Sequence, residues 1–216
     1  MSKKISIAAF SLMLALAFAM SAFSVSPGYE QDHPGWSNAS GWALPELGKA
    51  YDIALIPRTL LGVDMTKNIT RAQFAALAVQ LYEILTGKSA PAASADTFSD
   101  TGLDFVLQAY RLEIVNGVGN GKFDPFGHAT REDIAAMLCR TIAAIVPGTD
   151  IESAFSGYSE SFPDAQDVSD YAATAMIYMV NNGFMKGSGG MLLPKSPCTR
   201  EQAICLVYRI YELLSD

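Results

Sequence analysis

One phrase occurs three times in this chain and each time opens an apolar helical run: Thr70-Arg71-Ala72-Gln73, Thr130-Arg131-Glu132-Asp133 and Thr199-Arg200-Glu201-Gln202. The copies start 60 and 69 residues apart. Their surroundings recur with them: Phe98-Ser99-Asp100 and Phe162-Pro163-Asp164 open the second and third units, and Phe123-Asp124-Pro125 and Leu192-Leu193-Pro194 precede the phrase in each. The first unit begins differently, through Trp42. A chain that repeats itself at such a period forms one supersecondary unit per copy and buries its apolar faces between copies.

The run after each phrase carries apolar residues at three-and-four spacing, the mark of a helix with one buried face. These are Phe74, Leu77, Ala78, Leu81, Tyr82 and Leu85 in the first unit, then Ile134, Met137, Leu138, Thr141, Ile142 and Ile145, then Leu206, Val207, Ile210, Tyr211 and Leu214. Each run follows a shorter apolar helical segment and a loop containing Gly or Pro. The expected fold is therefore mainly α, with three helix-loop-helix repeats packed as a pseudo-threefold helical bundle or prism.

Residues 1–24 read as a secretory signal peptide: Lys3 and Lys4, an apolar stretch from Ile5 to Phe18, then small residues around Ala19 to Ser24. That stretch is short for a membrane span, and no later segment reaches the roughly 18 apolar residues a span requires. A polar lead-in covers 25–36. Segments rich in Ala, Ser and Pro (86–96) and in Gly and Ser (146–161) separate units at 37–87, 97–147 and 161–216, which together should form one compact module. Removing the two leader lysines takes the formal charge from -7 to -9, which disfavours nucleic acid as a partner. Cys139, Cys198 and Cys205 lie in or beside the long helices and read as small core residues, not a disulfide framework.

Thr70, Thr130 and Thr199 are N-caps, each with a side chain three positions on that can complete a capping box. The arginine is not explained by capping, because a cation in the first helical turn faces the positive end of the macrodipole. Arg71, Arg131 and Arg200 therefore serve either an inter-unit salt bridge or a bidentate fork for an anion, and the residues alone leave the two open.

Taken together, the Phe-x-Asp openings, the aromatic Trp42, the glycine turn Asn116-Gly117-Val118-Gly119-Asn120-Gly121, Phe123-Asp124-Pro125 and the Thr-Arg phrase resemble three S-layer homology repeats. The resemblance covers nearly all of the chain after its leader. It implies a non-catalytic module that is secreted to the bacterial cell surface and binds secondary cell-wall polysaccharide, often pyruvylated, in grooves between repeats. The arginines Arg71, Arg131 and Arg200 would meet the ligand's carboxylate, with Trp42 and Tyr171 as aromatic platforms. Asp100 and Asp164 would belong to the same grooves, and Gly117, Gly119, Gly187 and Gly189 would allow close backbone approach.

The chain departs from that pattern in places. Gln73, Asp133 and Gln202 stand where glutamate is usual, and the first unit has Leu55-Ile56-Pro57-Arg58 in place of a glycine turn. The second unit is short before its turn, leaving Leu103 or Phe105 for the platform. The alternative function is a secreted protein-interaction or lattice-assembly module with degenerate sugar grooves, in which other surface proteins are the partners.

Other chemistry is poorly represented. His33 and His128 lack companions at metal-ligand spacing and read as surface residues. Asp164, Asp167 and Asp170 lack calcium-loop spacing and read as carboxylates placed at a helix start. No cofactor motif, metal set or catalytic acid pair emerges.

Overall fold

The computed structural model describes residues 36, 38–91, 93–151, 157–158 and 161–215. The signal-peptide assignment and His33 lie outside those residues. The described chain forms six α-helices alternating short and long: α1 (Leu44–Asp52), α2 (Arg71–Thr86), α3 (Asp104–Arg111), α4 (Arg131–Ile145), α5 (Ala173–Asn181) and α6 (Arg200–Ser215). Short 3-10 turns and isolated β-bridges complete it, and no β-strand is formed among the described residues.

The first three amides of a helix have no partner inside it, and each long helix satisfies them the same way. Thr70 accepts from the Gln73 amide at 3.2 Å while the Gln73 side chain accepts from the Thr70 amide, also at 3.2 Å. Thr130 with Asp133 and Thr199 with Gln202 make the same reciprocal pairs. The two amides before these are capped by a different repeat. Arg71 and Ala72 donate to the carbonyls of Gly127 and Pro125, Arg131 and Glu132 to Ser196 and Pro194, and Arg200 and Glu201 to Lys67 and Met65.

That relay closes on itself. Ile69 donates to the Cys198 carbonyl at 2.9 Å, Cys198 to Ala129 at 3.0 Å, and Ala129 back to Ile69 at 3.1 Å. All three residues are fully buried, so their amides and carbonyls must find partners within the protein. A three-membered ring satisfies each with a neighbour's, which is the pseudo-threefold symmetry in its most direct form.

The short helices also cross between repeats. α3 packs on α2, α5 on α4, and α1 on α6, while α2 packs against both α4 and α6. Every two-helix layer thus combines the long helix of one repeat with the short helix of the next. The expected apolar face is the buried one: Phe74, Leu77, Ile134, Leu138, Val207 and Ile210 are inaccessible, with Tyr82, Leu85, Ile145, Tyr211 and Leu214 at its margin. The three cysteines are buried and free.

The short helices end alike, with a residue in the left-handed region two positions past the last helical residue: Ala54 (φ 57°), Glu113 (φ 60°) and Gly183 (φ 74°). The following amide reaches back into the helix, as from Leu55 to Ala50, Ile114 to Ala109 and Phe184 to Met179. This is the Schellman arrangement, and only the third copy gives it the glycine it favours.

Candidate functional site

Because the leading amides of the long helices are already capped by neighbouring loops, those helix starts offer no free N–H cradle to a ligand. What remains at each repeat boundary is the arginine side chain, and the three differ in how fully the protein engages them.

Arg71 is fully engaged. Its Nε donates to the Phe123 carbonyl at 3.0 Å and Nη2 to the Asn116 carbonyl at 2.9 Å, while Nη1 lies 4.0 Å from Asp133 Oδ1. The guanidinium sits 4.8 Å from the Phe123 ring centroid, and its side chain is only 12% exposed. Arg200 keeps part of its donor set, with Nε bonded to Gln73 Oε1 at 3.1 Å and Nη1 to the Asp64 carbonyl at 2.7 Å. Arg131 donates only through Nε, to the Leu192 carbonyl at 2.8 Å. Among the described residues its two terminal nitrogens meet no acceptor, so an end-on fork stays available to a planar oxyanion. Among the described residues the inter-unit salt bridge expected as one option for these arginines exists only as the long Arg71–Asp133 contact; backbone carbonyls are their main inter-repeat partners.

The residue after each arginine, which the sequence reading passed over, organises two of the three boundaries. Glu132 is 3% exposed and accepts from the Ser169 amide and hydroxyl, both at 2.9 Å, and from Lys195 Nζ at 2.7 Å. The Tyr171 hydroxyl lies 3.1 Å from it and 2.9 Å from Asp133. Burial pushes the Glu132 carboxyl up, but Lys195 and the Ser169 donors outweigh it and hold the pKa below the ordinary glutamate value. Burial and the two carboxylates push the Tyr171 hydroxyl up, so it stays protonated. Lys195 also contacts the Ser169 hydroxyl. Glu201 repeats the motif with Ser40, accepting from its amide at 2.8 Å and hydroxyl at 2.7 Å. In both cases the glutamate fixes the start of the next repeat, and with it an aromatic: Trp42 and Tyr171 are each 54% exposed.

The boundary at Arg71 is built from other residues. Ala72 replaces the glutamate, and Thr101 stands ten residues before the end of its short helix, as Trp42 and Tyr171 do in theirs. Leu103, at 40% exposure, precedes α3, whereas Phe105 packs toward the core and is no platform. Tyr171 approaches this boundary through Asp133, which its hydroxyl shares with Arg71, and a further aromatic comes from the capping loop. Phe126, 81% exposed, lies between Pro125 and Gly127, whose carbonyls cap α2, and it occupies the place of Lys195 in the third repeat. Only the alignment of the three capping loops reveals it.

Asp164 does not cap a helix, contrary to the sequence reading. Its oxygens each accept at 2.8 Å from the amides of Leu192 and Leu193. Asp100 does the same with Phe123 and Asp124. Those amides, together with Arg131 beside Asp164, hold both carboxyls below their usual value despite desolvation. The two aspartates thereby set the loops whose carbonyls receive Arg71 and Arg131.

The glycines divide into two kinds. A Cβ on Gly117 would lie 2.6 Å from the Lys122 carbonyl oxygen, and one on Gly187 2.5 Å from that of Met191, so these permit the hairpin to fold onto itself. Gly119 and Gly189 have positive φ but open space around them. His128 is exposed. Among the described residues no group of three or more His, Cys, Asp or Glu could hold a metal, and no helix is long and apolar enough to cross a membrane.

The S-layer homology domain model matches residues 97–135 and 161–204. The chain is 32% identical over 141 residues to an endoglucanase of Bacillus sp. (strain KSM-635), covering 61% of this chain and 14% of that protein. It is 33% identical over 103 residues to an amylopullulanase of Thermoanaerobacterium thermosulfurigenes, covering 45% of this chain and 6% of the relative. For the exoglucanase XynX of Acetivibrio thermocellus the identity is 29% over 103 residues, or 45% and 10%. The chain thus spans a small part of each of these relatives. The two matched segments include the Thr-Arg phrases of the second and third repeats together with the loops that cap α2 and α4, and these two segments match the S-layer homology domain.

Proposed function

We propose that this chain is a non-catalytic anchor of the bacterial cell surface that holds secondary cell-wall polysaccharide, often pyruvylated, in the grooves between its repeats. S-layer homology domains are cell-wall anchoring modules, and the reading extends that role to a defined ligand chemistry. The observation that carries it is the uncommitted end of Arg131, a guanidinium fork on an acidic chain, at the start of the helix whose next two residues, Glu132 and Asp133, hold the hydroxyl of the half-exposed Tyr171. A carboxylate-bearing sugar would place its acid on the fork and a ring face on the aromatic.

The grooves then rank by donor availability: Arg131 first with two free nitrogens, Arg200 second with one, and Arg71 last. The closed Arg71 boundary and its exposed Phe126 fit the second reading, contact with another surface protein, at that one groove.

Co-sedimentation of the chain with purified sacculi, before and after removal of the secondary polymer, tests the proposal. Binding should depend on the polymer, fall sharply in Arg131→Ala, fall less in Arg200→Ala, and hardly change in Arg71→Ala if folding is preserved. Equal binding to stripped and intact sacculi would overturn it.

A further inference from the structure

The tenth position of the long helix occurs three times, and the fold uses two of the copies. In α2, Gln80 donates its side-chain amide to the Ala54 carbonyl at 3.1 Å. In α6, Arg209 places Nε 3.1 Å from both carboxylate oxygens of Glu46 on α1. In α4 the same position is Arg140, which has no hydrogen bond or ion pair among the described residues. It lines a cavity of ≈ 800 Å³.

The cavity lies between the 93–97 segment, the end of α3 and the later half of α4. Arg111 also lines it and is likewise without an ion pair among the described residues. Two arginines against a single acid, Glu113, make the cavity locally cationic on a chain whose formal charge is -7. Glu113 is fixed by the helix-ending turn it shares with Ala54 and Gly183. Tyr110 presents a 41% exposed ring, steadied edge-on by Phe98 at 5.1 Å. Asn116 and Thr97 add polar groups able to meet hydroxyls.

We propose that this cavity is a second binding site, separate from the repeat grooves, for a small saccharide bearing an oxyanion. Arg140 and Arg111 bind the oxyanion, Tyr110 packs against the ring, and Glu113 accepts from a hydroxyl. Arg140 lies nine residues along α4 from Arg131, about 13 Å at 1.5 Å per residue, so one monosaccharide cannot occupy both sites. The inference stands without the anchoring function, since it uses none of Arg71, Arg131 or Arg200.

The test is an NMR titration of the arginine Nε–H resonances with D-glucuronate, glucose 6-phosphate and glucose. Arg140→Gln is the main variant, because it copies the residue that the fold already accepts at position 80. The acids should shift Arg111 and Arg140 at millimolar concentration and glucose should not. Arg140→Gln should weaken binding read at Arg111 roughly tenfold or more, the effect of losing a charge-assisted fork, and Arg131→Ala should leave the shifts of Arg111 and Arg140 as they are. A response to only one acid supports the site and identifies carboxylate or phosphate as its class. No shift at Arg111 and Arg140, an unchanged affinity at Arg111 in Arg140→Gln, or loss of the Arg111 and Arg140 shifts in Arg131→Ala would overturn the proposal.

Discussion

Glu132→Ala removes a carboxylate that is 3% exposed and serves donors from Ser169, Tyr171 and Lys195. Hydrogen bonds to a charged group contribute about 1.5–3 kcal/mol each, but not all are lost here. The Lys195 side chain is 55% exposed and returns to water, so its ion pair is worth well under about 1 kcal/mol after screening. Tyr171 retains Asp133. The uncompensated loss is the Ser169 amide and hydroxyl, and it amounts to about 3 kcal/mol, or roughly 6–12 °C in Tm for a chain of this size. Glu132→Gln keeps an acceptor for the Ser169 amide and should lose about half as much. The pH dependence gives a second signature. Because the folded pKa of Glu132 lies below the ordinary 4.5, its contribution is complete above about pH 4.5 and disappears as pH falls through the lowered value. Urea titrations followed by circular dichroism at pH 7 and across the acid range measure both effects. A loss below about 0.5 kcal/mol in Glu132→Ala, with an unchanged acid slope, would refute the claim that this carboxylate fastens the third repeat to the second.

Gly187→Ala sets a Cβ 2.5 Å from the Met191 carbonyl oxygen and should cost about 2–3 kcal/mol, against about 1 kcal/mol for Gly189→Ala, where only φ is strained; paired melts distinguish the two. Ala54→Gly relieves a left-handed alanine at φ 57° and should raise stability by about 0.5–1 kcal/mol, seen as a higher urea midpoint. Burial pushes the thiols of Cys139 and Cys198 up to about 12. Iodoacetamide at pH 8 should therefore label neither until the chain is unfolded in urea, as mass spectrometry would show.

Local chemistry was legible in the sequence and inter-repeat chemistry was not. The three threonines and their partners three positions on read directly as caps, because a capping box is complete within four residues. The buried helix faces read directly from their spacing. The arginine fell between the two categories: its mismatch with the helix dipole was visible, but its partners, the carbonyls of Phe123, Leu192 and Asp64, lie on the next repeat's loop. Glu132 and Glu201 looked like ordinary first-turn acids, since nothing local indicates that Ser169 and Ser40 rest above them. Asp164 was assigned to a helix start because it precedes one, whereas its oxygens serve amides 28 and 29 residues away. Phe126 gave no signal at all, for its importance depends on which loop faces α2.

The hydrogen-bonded ring of Ile69, Ala129 and Cys198 also sets how such a protein can change in evolution. An open array gains or loses a copy at its ends with little disturbance, because each copy meets only its neighbours. Here, excising the third repeat would strand the Ile69 amide and the Ala129 carbonyl in the core and uncover α1, which rests on α6. A fourth copy would have no place in the circle. The number three is therefore fixed by the backbone, but the order of the copies is not: joining the end of α6 to the start of α1 and opening the chain between α2 and α3 would leave every ring contact in place. Circular permutation is the rearrangement this architecture tolerates, and duplication or loss of one unit is the rearrangement it forbids.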